Sequence, residues 1–216
     1  MNTLDSRCLR YTDCFAQKFS QPGRIRYRLA AAAGACMPVA KDDKDVFTID
    51  VAGRGDPAGS GQQHDVTVRQ EGNHLLADPP HLKIQAGDIV MWNAPNPATP
   101  GYNVRGEGAG FTFDSTALTS EAIYTHAFGT PGTYRWTDAN GKTVSGVVEV
   151  RPVDAPKREH CEQWLAALGT GTLIHIVGNV AKPNSVQIMP GQTVFWAVEK
   201  ASGMCITDEM LIPKAR

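Results

Sequence analysis

Residues 113–132 read FDSTALTSEAIYTHAFGTPG and residues 4–23 read LDSRCLRYTDCFAQKFSQPG. Laid over each other without a gap, they share Asp-Ser, a Leu, a Phe and a closing Pro-Gly. The offset of 109 carries on, placing Arg24–Tyr27 on Thr133–Trp136. A second match, at an offset of 104, places Val186–Val198 (VQIMPGQTVFWAV) on Leu82–Ala94 (LKIQAGDIVMWNA). Each copy has alternating apolar residues, a turn with Gly and a strand ending in Trp, the period-2 pattern of half-buried strands. Self-similarity of this kind marks a duplicated β-unit, with Trp92 and Trp196 as equivalent core residues.

The stretch 62–152 contains both matched parts, strand-turn-Trp first, and the chain ends contain the same parts in the opposite order. The expected organisation is therefore a complete β-sandwich, domain A, at 62–152. A second sandwich, domain B, is assembled from 1–52 and 171–216, a circularly permuted arrangement whose termini meet on the surface. The alternative is that each end pairs with a neighbouring chain, giving a swapped dimer or a filament. Residues 53–61, GRGDPAGSG, read as a flexible linker. Residues 153–170 read as a helical linker, with Asp154 as N-cap, Pro156 in the first turn and Gly169 as the stop. The fold class is all-β, two sandwiches with one linking helix.

Composition narrows the function. Twenty-one Lys and Arg against 22 Asp and Glu leave a net charge of -1, and no basic run is interleaved with aromatics, so nucleic acid is not an expected partner. No apolar run reaches the roughly 18 residues of a membrane-spanning helix. The opening MNTLDSRCLRYTD has neither the basic nor the apolar part of a secretion signal. The five cysteines lack CxxC spacing and specify neither a zinc site nor a disulfide framework. No GxSxG elbow, P-loop or GxGxxG opens a helix, so no catalytic residues are assigned and no enzyme is expected.

The segments IQAGDIVMWNA, GYNV, FTFDSTAL, YTHAFGTPGTYRW and SGVVEV, in that order within 62–152, resemble the cupredoxins, the plastocyanin- and halocyanin-like Greek-key sandwiches that carry electrons on one copper. Domain B resembles them more weakly. The family's copper takes a His from the turn after the Trp strand and a Cys, a His and a Met from the loop after the GTYxYxC strand, a soft set suited to copper. By position these fall on Tyr102, Trp136, Ala139 and about Val144 in A, and on Met204 and Tyr27 in B. No cysteine lies between 62 and 153. Neither domain is expected to form blue copper, and no cofactor or metal is assigned.

What the resemblance implies is a copper-free accessory or scaffold subunit. In the family the apolar surface around the copper-binding turn docks redox partners; here Pro95, Pro97, Pro100 and Tyr102 form the candidate docking face. The expected partners are protein subunits of a membrane-associated electron-transfer complex, a photosynthetic reaction centre or a respiratory complex, on the extracytoplasmic side. The competing reading is metal handling or electron transfer by a sulfur site of Cys36, Met204 and Cys205, ligands that suit Cu(I).

Overall fold

The computed structural model describes residues 3–32, 46–54, 61–141, 144–153 and 157–212. Its first half contains β1 (Asp13–Phe19), β2 (Gly23–Ala31), β3 (Val46–Ala52), β4 (Gln63–Glu71), β5 (His74–Asp78), β6 (His81–Gln85), β7 (Asp88–Asn93), β8 (Tyr102–Gly108) and β9 (Phe111–Asp114). Its second half contains β10 (Leu118–Thr119), β11 (Ala122–Ala127), β12 (Gly132–Asp138), β13 (Ser145–Val150), α1 (Arg158–Leu168), β14 (Gly171–Val177), β15 (Val180–Lys182), β16 (Ser185–Ile188), β17 (Thr193–Glu199), β18 (Ser202–Met204) and β19 (Ile206–Asp208), then a 3-10 turn at Glu209–Leu211. The chain is all-β apart from α1 and that turn. Alternation builds the strands: in β2, Ile25, Tyr27 and Leu29 turn inward while Arg24 and Arg26 stay exposed.

An eight-stranded sheet, β15-β14-β17-β11-β1-β7-β4-β5, runs through both halves. A five-stranded sheet, β6-β3-β2-β8-β9, accompanies the first half, a four-stranded sheet, β16-β13-β12-β19, the second, and β10 pairs with β18. At the centre β1 lies antiparallel to β11 with Phe15 opposite Tyr124, and 124 − 15 is the repeat offset of 109. Equivalent residues face each other there, so a pseudo-two-fold axis passes between them.

This pairing differs from the permuted organisation expected above. β1 and β2 bond to β7 and β8, whereas β11 and β12 bond to β17 and β19. Residues 13–114 thus supply one half and 118–208 most of the other; the ladders do not gather 62–152 into one sandwich, nor 1–52 with 171–216. The physical reason is that internal similarity identifies equivalent strands without saying which copy each pairs with. Loop closure does not choose between the arrangements: β7 is nearer in sequence to β11 than to β1, whereas β17 is nearer to β11 than to β1, so the shorter closure in one place is offset by the longer one in the other.

The ends do meet, through one short segment. Leu4-Asp5-Ser6 lies along β19, with Ser6 N donating to Ile206 O at 2.8 Å and Asp208 N to Leu4 O at 2.8 Å. Its repeat, Phe113-Asp114-Ser115, lies along β8, with Ser115 N donating to Val104 O at 2.9 Å. Each half is closed by the segment that opens the other repeat.

The cores repeat as faithfully. Phe15 stacks on Trp92 at 5.5 Å and 23°, and Tyr124 on Trp196 at 5.6 Å and 26°. Tyr27 meets Trp92 edge-on at 5.4 Å, and Trp136 meets Trp196 edge-on at 5.9 Å. The helix begins at Arg158, with Lys157 rather than Asp154 at the cap position and no side-chain cap bond; Asp154 and Pro156 lie outside the described residues. Trp164 Nε1 ties it down by donating to Pro190 O at 2.7 Å, while Leu165 faces solvent.

Candidate functional site

The turn expected to dock partners connects β7 to β8 in the first half. Pro95 and Pro97 are exposed and Pro100 is half-buried, but Tyr102 is fully buried. Tyr102 opens β8 on the same face as Val104, and strand alternation sends both inward. The expected four-residue face therefore loses its aromatic member.

The positions that correspond to copper ligands are Tyr102 and Tyr27 in the first half and Trp136, Ala139, Val144 and Met204 in the second, all buried except the half-buried Ala139. They offer one weak thioether and no imidazole or thiolate, so they do not fit copper. Among the described residues, no three His, Cys, Asp or Glu side chains gather to hold a metal. Of the expected sulfur site, Cys36 lies outside the described residues. Cys205 is fully buried and accepts from Ser6 Oγ at 3.7 Å. Burial pushes its thiol up to about 11, against smaller opposing effects of Ser6 and Arg7; a protonated thiol is a poor metal ligand.

The structure joins three side chains the sequence did not connect. Asp13 Oδ1 accepts from the Tyr124 hydroxyl at 2.7 Å and pairs with His126 Nδ1 at 2.6 Å, and Asp13 Oδ2 accepts from Arg10 N at 2.8 Å. All three side chains are buried where β1 meets β11. Burial and the Asp13 charge raise the Tyr124 hydroxyl well above its ordinary range. Across the pseudo-axis the corresponding positions carry Ala122 and Gln17, so this clamp joins the halves on one side only.

The outer face of the eight-stranded sheet carries the other feature. One row of register partners runs Lys182–His175–Ala197–Ile123–Ala16–Met91–Asp65. Beside it, Leu173, Phe195, Thr125 and Cys14 are also register partners. Tyr11, Cys14, Met91, Thr125 and Phe195 line a groove of ≈ 440 Å³ over the junction of the halves. Leu173, the register partner of Phe195, is 44% exposed, and farther along the same face Val177 and Val180, register partners of each other, are 45% and 52% exposed.

The repeat supplies an internal control. Val66 pairs with Trp92 as Ile174 pairs with Trp196, so Asp65 and Arg69 are the counterparts of Leu173 and Val177. Lys182 likewise replaces Asp78. One fold accepts charged residues at positions where its copy exposes Leu and Val. Comparison with known proteins finds no family model, no curated protein and no solved structure that matches the chain.

Proposed function

We propose that the chain is a non-catalytic, copper-free accessory subunit that docks on the extracytoplasmic face of a membrane-bound electron-transfer complex, a photosynthetic reaction centre or a respiratory complex. Each half is taken as a cupredoxin-like Greek-key sandwich in permuted order, its FDS-to-PG strands preceding its strand-turn-Trp strands. The partner class rests on that resemblance.

The observation that carries the docking role is the exposed apolar wing of Leu173, Val177 and Val180. The counterparts of Leu173 and Val177 are Asp65 and Arg69, so packing does not demand an apolar residue at either, while Val180 corresponds to Leu76. Val177 and Val180 adjoin as register partners, and Leu173 lies on the same face across His175; exposed apolar surface of this kind is where partners bind. Among the described residues no helix is long and apolar enough to cross a membrane. The sulfur-site reading is weakened by the buried, protonated Cys205.

The test is recovery of tagged protein from native membranes. The wild type is expected with a multi-subunit complex, and the Leu173→Asp, Val177→Arg double variant without it. Recovery of the wild type as a free monomer, or an intense blue thiolate band on adding copper, refutes the proposal.

A further inference from the structure

We infer that the open edge of β12 at Gly132–Arg135 receives an extended peptide strand of a partner protein, paired antiparallel to β12 as β8 is to β2. This edge belongs to the four-stranded sheet and is separate from the apolar wing, so it adds a site to the docking role proposed above.

The two copies are covered differently at this place. In the first half β8 lies along β2 from Ile25 to Ala31, with Ile25 opposite Gly108 and Arg26 opposite Glu107. A Cβ added at Gly23 would lie 2.5 Å from the Ala109 Cβ, so the turn after β8 covers the start of β2 as well. β19, the counterpart of β8, lies along β12 only from Trp136 to Asp138. Tyr134 and Arg135, the counterparts of Ile25 and Arg26, have β13 on one side and, among the described residues, no strand on the other. Sequence explains the departure. Asp208, at the position of Gly106, accepts from Met210 N at 2.9 Å and caps the 3-10 turn Glu209–Leu211, as Asp does at an N-cap. The chain leaves the sheet there. An open edge presents unpaired N–H and C=O groups to a further strand, and an added peptide strand gains its affinity by bonding to them. The first half shows which kind of element fits this edge.

The edge also lies in a cleft. A cavity of ≈ 1630 Å³ touches Tyr134, Arg135, Phe128 just after β11, and Met210 and Leu211 of the 3-10 turn. Tyr134 and Arg135 stand on opposite faces of β12, so a cavity that reaches both passes round the open edge. Its volume exceeds the roughly 300–1,000 Å³ of a small-molecule site and suits a chain segment. The walls beside the edge are apolar: Tyr134 is half-buried, and Met210 and Leu211 are 84% and 40% exposed. Every second side chain of a guest strand can face such a wall, so the guest alternates apolar and polar residues. A second copy of this chain is the weaker occupant. The 3-10 turn packs against β12, and joining two β12 edges would set turn against turn, whereas a free strand carries no such flank.

The probe is an acetylated, amidated seven-residue peptide of alternating Thr and Val. Two further forms are N-methylated, one at every Thr and the other at every Val. In NMR titrations of the full chain the parent peptide is expected to bind with Kd below about 1 mM and to slow amide exchange at least tenfold at one or more of Thr133, Tyr134 and Arg135. One methylated form, and not the other, is expected to bind at least tenfold more weakly, because only one edge of the peptide faces β12. Met210→Asp, at an exposed side chain, is expected to weaken the parent at least tenfold. No binding, equal affinity of the three peptides, unchanged affinity in Met210→Asp, or slowed exchange confined to other residues overturns the inference. So does a concentration-dependent dimer that protects the same amides without peptide, which would make a second copy the occupant. The Leu173→Asp, Val177→Arg variant is expected to bind the parent as the wild type does; lost binding would put the peptide on the wing and overturn the inference too.

Discussion

Replacing Asp88 with Asn removes a charge that the first half is built around. The carboxylate is buried at the first residue of β7. It accepts from Gln62 N and Gln85 N, both at 3.0 Å, and from His64 Nε2 at 2.9 Å, and it is ion-paired with Arg54. Burial alone would raise the Asp88 carboxyl, but the two backbone donors and His64 outweigh it and hold the group at about 2, from 3.8. A shift of that size corresponds to about 2 kcal/mol of stability at pH 7, at ~1.4 kcal/mol per unit. The folded value is depressed, so the contribution is complete above the unfolded value near 4 and is lost as pH falls towards 2. Asn keeps one acceptor and turns an amide N–H towards donors, so Asp88→Asn is expected to cost about 2 kcal/mol at pH 7, roughly 4–8 °C in Tm for a chain of this size. Urea unfolding followed by Trp fluorescence at pH 7 and pH 3 is the assay. The gap between wild type and variant should narrow by about half at pH 3. A gap that is unchanged at pH 3, or under ~0.5 kcal/mol at pH 7, refutes this account of the turn.

Gln192 occupies the corresponding turn of the second half, where Oε1 accepts from Met189 N at 2.7 Å and Nε2 donates to Ala167 O at 3.0 Å. Gln192→Glu sets a carboxylate oxygen against that carbonyl and is expected to cost about 2 kcal/mol at pH 7, measured by denaturant melts. Asp13→Ala strips the buried clamp from Tyr124 and His126 and is expected to cost about 3–5 kcal/mol; a loss below ~1 kcal/mol in thermal unfolding would mean the clamp holds nothing. Gly146→Ala places a Cβ 2.2 Å from Asn184 O and 2.6 Å from the Trp136 ring, a clash expected to exceed about 2 kcal/mol by calorimetry. Cys205 is expected to stay unlabelled by a thiol reagent at pH 8 in the folded protein and to react once urea unfolds it, read by peptide mass spectrometry.

The strands around Trp92 and Trp196 are legible because alternation, a Gly turn and a Trp recur in both copies. Their partners are not, since a repeat says that β1 equals β11 without saying that β1 lies beside β7. The burial of Tyr102 has a local signal: Val104, two residues on, shares its inward face. The Asp13–His126 contact has no local signature, being 113 residues apart in sequence. The apolar wing was hidden in TLIHIV, where Ile174 and Ile176 fill the core and Leu173 and Val177 face out. A strand apolar on both faces reads like one buried on both faces, and only the burial of each position tells them apart.

The two copies differ where they need not agree with the fold. Inside, stacking geometry repeats to within a few tenths of an ångström for Phe15–Trp92 and Tyr124–Trp196. Outside, Arg24 of β2 corresponds to Thr133 of β12, and Asp65 and Arg69 correspond to Leu173 and Val177. Packing constrains the interior of both copies equally, because large-to-small changes there leave cavities that cost several kcal/mol. Surface substitutions cost little, so they are free to follow binding. An isologous dimer uses one patch against itself and would not require the two halves of this chain to differ. A chain whose aromatic core repeats between the halves while its outer sheet face does not is matched to a partner that lacks that symmetry.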